Sequence, residues 1–118
     1  MLDLSHKKLD VWKLSVEFVA DIYMLTEAFP KTEMYGITNQ LRRAAVSVAA
    51  NIAEGASRRT GPDKRRFFEI SRSSLVEIDS HLEVSLRLKF CKEENLRITS
   101  GKINHLFAML TNLIKSTK

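Results

Sequence analysis

The sequence has few of the residues that interrupt helices and almost no cysteine. Two prolines and four glycines occur among 118 residues, which leaves long stretches free to be helical and argues against an all-β fold. Cys91 is the single cysteine, so an intrachain disulfide and a cluster of thiolate metal ligands are excluded. We interpret Cys91 as a small hydrophobic residue rather than a nucleophile.

Long apolar runs are also absent. No stretch approaches the roughly 18 residues that a membrane span needs, and the N-terminal MLDLSHKK lacks the apolar segment of a signal peptide. We therefore expect a cytoplasmic protein that does not bind membranes. With 44% hydrophobic and 28% charged residues, the chain has the composition of a globular protein, and its length predicts one domain over 1–118.

Apolar residues recur at spacings of three and four, which is typical of amphipathic helices. The pattern predicts helices over about 10–28, 37–58, 62–90 and 93–115. Their expected core residues are Val11, Leu14, Phe18, Ile22 and Leu25; Ile37, Leu41, Ala44, Ala45, Val48 and Ile52; Phe67, Ile70, Leu75, Ile78, Leu82 and Leu86; and Leu96, Ile103, Leu106, Leu110, Leu113 and Ile114. Because the links are short, we expect an all-α, antiparallel up-down-up-down four-helix bundle.

The first helix carries a second apolar stripe of Trp12, Val16, Val19 and Tyr23. Two adjacent stripes make its apolar face wider than a single bundle helix needs. We therefore expect another chain to cover part of this face.

Polar residues interrupt the apolar pattern of the second and third helices. They follow helical spacing and form a polar seam: Gln40, Arg43, Ser47, Asn51, Glu54, Ser74 and Glu77, with Ser71 and His81 on the same line of the third helix. Such a seam can set helix register within or between subunits, or it can serve binding or catalysis. A buried Glu54 or Glu77 would need a cation, for which Arg43 is the internal candidate.

An enzymatic hypothesis rests only on Glu54, Glu77 and His81. Di-iron bundles use paired Glu-x-x-His motifs, whereas Glu77 and His81 are four residues apart and no second pair exists. No glycine-rich turn accompanies any serine as an oxyanion hole would require. The prediction is a protein without catalytic residues, bound metal or cofactor.

Basic residues cluster between the second and third helices. From position 58 to 72 there are six cations against Asp63 and Glu69, a local balance of +4 within a total of +5. We predict that phosphates of RNA or DNA contact Arg42, Arg58, Arg59, Lys64, Arg65, Arg66 and Arg72. The alternatives are a solvated surface, or a protein-interaction scaffold on which the basic charge is incidental.

The run FPKTEMYGITNQLRRAAVSVAANIAEG, residues 29–55, resembles the signature of the 23S rRNA intervening-sequence proteins, also called four helix bundle proteins. The stretch FFEISRSSLVEIDSHLEVSLRL, residues 67–88, is similar to the third helix of that family. Positions that match are Pro30, Glu33, Tyr35, Gly36, Gln40, Arg43, Ser47, Asn51, Glu54, Gly55, Ser74 and Glu77. Ser71 and Ser73 stand where the family usually has alanine and glycine.

The resemblance implies an antiparallel four-helix bundle that assembles into a ring-shaped homopentamer. Some members are encoded within insertions in large-subunit rRNA genes. The accessory proteins of diversity-generating retroelements are similar, and their basic pentameric barrel binds nucleic acid and a reverse transcriptase. The resemblance thus implies self-association, nucleic-acid binding and a possible protein partner, and it offers no catalytic residues to transfer.

Overall fold

The computed structural model describes residues 1–118, and all of its regular structure is helical. The four α-helices are α1 (Asp10–Glu27), α2 (Ile37–Ser57), α3 (Gly61–Arg87) and α4 (Arg97–Ser116). Short 3₁₀ turns precede α1, α2 and α4 at Ser5–Lys8, Lys31–Glu33 and Glu93–Leu96. The prediction of an all-helical fold with four helices and no strand is confirmed. None of these helices combines the length and apolar character needed to cross a membrane.

The four helices share one hydrophobic core. Helix α1 packs against α2 and α4, and α3 also packs against α2 and α4, so every helix has two neighbours. The core contains 17 buried hydrophobic residues, among which the large, fully buried side chains are Phe18, Ile22, Leu41, Ile52, Leu75, Ile78, Leu106 and Leu110. In α2, for example, Leu41, Ala45, Val48 and Ile52 are buried at intervals of three and four residues, as burial of one helical face requires.

The buried face at the start of α3 differs from the prediction by one residue. Phe68 and Ser71 are buried, whereas Phe67 is half-buried and Ile70 is exposed. A serine lies on the buried face because its hydroxyl donates a hydrogen bond of 2.8 Å to the carbonyl oxygen of Val48 in α2. A hydroxyl with such a partner avoids most of the cost of desolvation, so the inward face follows shape and hydrogen bonding rather than hydrophobicity alone.

Helix α3 ends at Arg87, three residues before the predicted position. Lys89 adopts a left-handed conformation with φ of 64°. Its amide donates to the carbonyl of Leu86 at 3.0 Å, and the amide of Phe90 donates to Ser85 at 2.9 Å. This is the Schellman arrangement that satisfies the last carbonyls of a helix, usually with glycine in the left-handed position.

The link from α3 to α4 makes a turn before the last helix begins. Residues Glu93–Leu96 form a 3₁₀ turn, so α4 begins at Arg97 rather than near position 93. The rings of Phe29 and Phe90 contact each other with centroids 5.7 Å apart. This contact brings the α1–α2 link and the α3–α4 link together at one end of the molecule.

The link from α2 to α3 is very short and positions most of the basic cluster. Only residues 58–60 separate the two helices. Thr60 caps α3 by accepting a hydrogen bond of 3.2 Å from the amide of Asp63, and Pro62 occupies the first turn. Gly55 lies against Phe68 so closely that α2 and α3 approach each other just before this turn. The turn is therefore held between two tightly packed helices.

Candidate nucleic-acid interface

Two segments that are distant in sequence, the beginning of the chain and the end of α4, meet the α2–α3 turn. A shallow cavity there is lined by Ser5, Leu9, Ala56, Lys64, Phe68, Leu113 and Thr117. The guanidinium of Arg65 donates a hydrogen bond of 2.7 Å to the carbonyl oxygen of Thr117. The beginning of the chain, the end of α2, the start of α3 and the end of α4 thus lie together.

We call this region the basic end and define it as residues 1–10, 54–66 and 115–118. It contains nine cations, namely Lys7, Lys8, Arg58, Arg59, Lys64, Arg65, Arg66, Lys115 and Lys118, against four carboxylates, Asp3, Asp10, Glu54 and Asp63. The four lysines outside the turn were not among the predicted contacts. They come close to the turn only through folding, although their position at chain ends next to helix termini is visible in the sequence.

The opposite end of the molecule is nearly neutral. Residues 27–36 and 87–97, which meet through the contact between Phe29 and Phe90, hold five cations and four carboxylates. The basic end has an excess of five positive charges, equal to the net charge of the whole chain. The positive field is therefore concentrated at one end instead of being spread over the surface.

Two arginines of the basic end lie over one aromatic ring. The guanidinium carbon of Arg58 is 4.6 Å from the ring centroid of Phe67, and that of Arg66 is 5.7 Å away. Both distances are within the range of cation–π attraction. Arg58 also forms an ion pair of 3.3 Å with Glu54, one turn earlier in the chain. A carboxylate thus lies beside one of the two arginines.

The other cations of the turn differ in what they contact. Lys64 donates a hydrogen bond of 3.1 Å to the carbonyl oxygen of Ala56 near the end of α2. Arg65 binds the carbonyl of Thr117, as described above. Arg59 is exposed. Since carbonyl partners carry no net charge, the positive charges of Lys64 and Arg65 are not cancelled.

The structure places Arg42 and Arg72 apart from the turn. Arg42 donates to the hydroxyl of Thr26 at 2.9 Å and lies over the ring of Tyr23, so it links α2 to the end of α1. At 1.5 Å per residue, it is roughly 24 Å along α2 from Arg58. Arg72 donates to the hydroxyl of Thr111 at 3.1 Å in α4. Both guanidiniums are engaged in contacts between helices.

Three residues of the polar seam are joined by hydrogen bonds. The hydroxyl of Ser74 in α3 donates to the hydroxyl of Ser47 in α2 at 3.1 Å. The amide of Asn51 donates to the carbonyl and hydroxyl oxygens of Ser47, each at 2.9 Å. The fully buried Ser71, which donates to Val48, adds a second polar link between the same helices. In the sequence, Ser71 comes three residues after the buried Phe68 and four before the buried Leu75, and this helical spacing is the signal that could predict the link.

The remaining seam residues, Gln40, Arg43, Glu54 and Glu77, are exposed. The expected pairing of Arg43 with Glu54 or Glu77 does not occur. Glu54 pairs with Arg58, and Glu77 pairs with His81 at 3.1 Å. In both pairs the partner lies four residues later in the chain. These carboxylates are solvated, so they do not require the internal cation that burial would have demanded.

Side chains that could ligate a metal ion or act as nucleophiles do not cluster in the structure. No three His, Cys, Asp or Glu residues lie close enough to hold a metal ion. Burial raises the pKa of the Cys91 thiol above its ordinary value, the opposite of the change that activates a cysteine nucleophile. What the arrangement provides is concentrated charge and an arginine-rich surface rather than an acid–base or nucleophilic constellation.

A separate apolar groove lies between α1 and α2. It is lined mainly by the second stripe of α1 (Trp12, Val16, Val19, Ala20 and Tyr23) and by Val46, Ala49, Ala50 and Ala53 of α2. Val16, Tyr23 and Val46 are each more than 40% exposed. Within the chain, the second stripe of α1 is partly covered, because Trp12 and Val19 pack against the core, and it is exposed at Val16 and Tyr23.

Comparison with known proteins identifies relatives of this fold. A crystal structure of a protein of unknown function from the S23 ribosomal protein family of Bacteroides thetaiotaomicron superimposes with a TM-score of 0.80 and 21% identity. The match covers 90% of this chain and 99% of that one. No curated protein matches the sequence. The family described as 23S rRNA-intervening sequence protein matches residues 7–112, and because this span includes nearly all of α1 to α4, the chain belongs to that family.

Proposed function

We propose that the chain is a non-enzymatic protein that binds RNA or DNA through contacts between its basic end and backbone phosphates. The observation that carries this proposal is the excess of nine cations over four carboxylates in that region. Neutralising phosphates releases condensed counterions, so clustered arginines and lysines bind nucleic acid with little dependence on its sequence. The family description, which refers to 23S rRNA, favours RNA as the first ligand to test.

The proposed contacts are Arg58, Arg59, Lys64, Arg65 and Arg66, with Lys7, Lys8, Lys115 and Lys118 adding to the field. Arg42 and Arg72 are left out of this set because they lie away from the turn, where Arg42 contacts Thr26 in α1 and Arg72 contacts Thr111 in α4. The turn between α2 and α3 presents the five residues from two helix ends. Backbone phosphates are the chemical groups that such extended cationic side chains reach.

We further propose an antiparallel up-down-up-down bundle that assembles into a ring, with the pentamer implied by the family resemblance as the expected state. Ser47 lies against Ser74 and Ala56 against Lys64, which is the pairing order expected for antiparallel α2 and α3. In a ring, every copy would add its basic end to a continuous belt. Several weak phosphate contacts would then combine through multivalency.

Fluorescence anisotropy with a labelled 20-nucleotide RNA, and with DNA of the same sequence, tests the proposal. Replacing Arg58, Arg59, Lys64, Arg65 and Arg66 with alanine should weaken binding at least tenfold at low salt. The matched control replaces the five cations of the opposite end, Lys31, Arg87, Lys89, Lys92 and Arg97, and removes the same charge. Equal losses in both variants, or absence of wild-type binding at low salt, would overturn the assignment of the basic end.

A second candidate function is that of a protein-interaction scaffold, for example an accessory subunit of a reverse transcriptase. The exposed apolar groove between α1 and α2 favours it, because apolar surfaces of this kind mark contacts with other chains. Light scattering of the wild type and of Val16→Asp tests whether the groove is used in self-assembly. A wild-type oligomer that Val16→Asp dissociates would assign the groove to the ring, whereas a monomeric wild type would contradict both the ring and a ring-based scaffold.

A further inference from the structure

Two arginines at the α2–α3 turn, Arg58 and Arg66, lie over the ring of Phe67, which is not part of the hydrophobic core. Phe68 is buried in the core, whereas the adjacent Phe67 is half-buried at the surface. The guanidiniums of Arg58 and Arg66 both lie within 6 Å of its ring centroid. A solvated basic surface has no requirement for such a ring, since dispersed lysines and arginines would give the same net charge.

The ring holds together two groups that repel each other. Arg58 comes from the end of α2 and Arg66 from the second turn of α3, so the contact joins residues on either side of the turn. The negative faces of an aromatic ring attract guanidinium carbons and reduce the cost of bringing the two cations close. The long side chains therefore have fewer conformations to lose when a ligand binds.

A guanidinium placed over a ring keeps its N–H edge available for hydrogen bonds. The guanidinium of Arg66 makes no hydrogen bond or ion pair within the chain, and the guanidinium of Arg58 bonds only to the exposed carboxylate of Glu54. The planar fork of arginine binds two phosphate oxygens at once, which the point charge of lysine does not. The geometry thus suits recognition of phosphate by oriented hydrogen bonds in addition to charge.

We infer that Arg58, Phe67 and Arg66 form a preorganised site that grips the phosphodiester backbone through guanidinium forks. This inference rests on the proposed function and specifies which part of the basic end discriminates arginine from lysine. Arg59 carries the same charge beside the turn but lies over no ring. Affinity is therefore expected to depend on the guanidinium at positions 58 and 66 and on the aromatic ring at 67, while position 59 requires only positive charge.

The experiment measures binding of the labelled 20-nucleotide RNA by charge-conserving variants of the full chain. Arg66→Lys, Arg58→Lys and Phe67→Leu should each weaken binding by about three- to tenfold, because fork geometry or its support is lost. The matched control, Arg59→Lys, should change the dissociation constant by less than about twofold. The dependence on salt should keep the same slope in all lysine variants, because the number of charges is unchanged.

Circular dichroism melting separates a binding effect from a folding effect in Phe67→Leu. Because Arg66 is exposed, Arg66→Lys should leave the melting temperature unchanged. If Arg66→Lys and Arg58→Lys bind like the wild type while the five-alanine variant does not, the site acts by charge alone. That result overturns this inference and leaves the proposed function intact. If the wild type itself fails to bind RNA and DNA, the proposed function fails as well.

Discussion

Glu54 and Arg58 form an ion pair of 3.3 Å on the last turn of α2, beside the ring of Phe67. The carboxylate is half exposed, so it is a solvated partner and not a buried structural one. It repels phosphates and occupies hydrogen-bonding capacity of Arg58. An incoming nucleic acid would compete with Glu54 for the same guanidinium.

Glu54→Gln should therefore strengthen nucleic-acid binding. We expect a decrease of roughly two- to fivefold in the dissociation constant, which corresponds to the energy of one exposed ion pair. Anisotropy with labelled RNA at low salt measures the change. Glu77→Gln is the control, because Glu77 is similarly exposed and pairs with His81 within α3, roughly 24 Å along the helix from its first residue. Equal gains in both variants would mean that net charge alone is responsible.

Gly55→Ala should destabilise the fold. A β-carbon at position 55 would lie 2.6 Å from Cε1 of the buried Phe68 and 3.1 Å from the carbonyl oxygen of Lys64, so α2 and α3 would have to separate. Overpacking of this kind costs about 1–3 kcal/mol, more than the helix propensity gained from alanine. Urea unfolding followed by circular dichroism measures the loss.

Gly101→Ala provides the matched control for that substitution. Gly101 is also helical, but a β-carbon there would meet no atom within 4 Å. The variant should gain about 1 kcal/mol in the free energy of unfolding, from helix propensity alone. A loss at position 101, or a gain at position 55, would contradict the packing described between α2 and α3.

Lys89→Gly should stabilise the end of α3. A non-glycine residue in the left-handed region costs about 1 kcal/mol, and glycine removes that cost while keeping the Schellman hydrogen bonds. The melting temperature should rise accordingly. Lys13→Gly, a change within helix α1, should instead lower stability by about 1 kcal/mol. Destabilisation by Lys89→Gly would show that the lysine side chain has a structural role there.

Asn51→Leu should reduce stability or assembly while leaving the affinity of the folded protein for RNA within about twofold of the wild type. The substitution removes both hydrogen bonds from the amide of Asn51 to Ser47, at a cost of about 1–2 kcal/mol. Thermal unfolding and light scattering measure this effect. Asn39→Leu, at an exposed position of α2, is the control. Normal stability combined with lost RNA binding would assign the seam to the ligand site instead.

The all-helical fold could be predicted from apolar spacing because most buried positions are large aliphatic residues. The predicted buried face at the start of α3 is wrong by one residue, because Ser71 is polar and its hydrogen bond to Val48 depends on the packing of α3 against α2. The end of α3 was also misplaced. Lysine at position 89 gives none of the signal that glycine gives in a left-handed cap.

The candidate site could be predicted only in the part that is continuous in sequence. The turn residues Arg58, Arg59, Lys64, Arg65 and Arg66 form a visible cluster, whereas the contributions of Lys7 and Lys115 depend on packing of distant chain segments. The partners of Arg42 are likewise tertiary, since Thr26 lies in another helix. Phe67 lies beside two arginines because Phe68 faces the core in its place, whereas the apolar pattern predicts that Phe67 is buried.

The dependence of RNA affinity on salt tests the central claim most directly. Each phosphate contact on a single strand contributes about −0.7 to the slope of log K against log salt concentration. We predict that the five-alanine variant of the α2–α3 turn has a slope shallower than that of the wild type by about 3.5, while the opposite-end variant keeps the wild-type slope. Identical slopes in the wild type and the turn variant would contradict phosphate binding by the basic end.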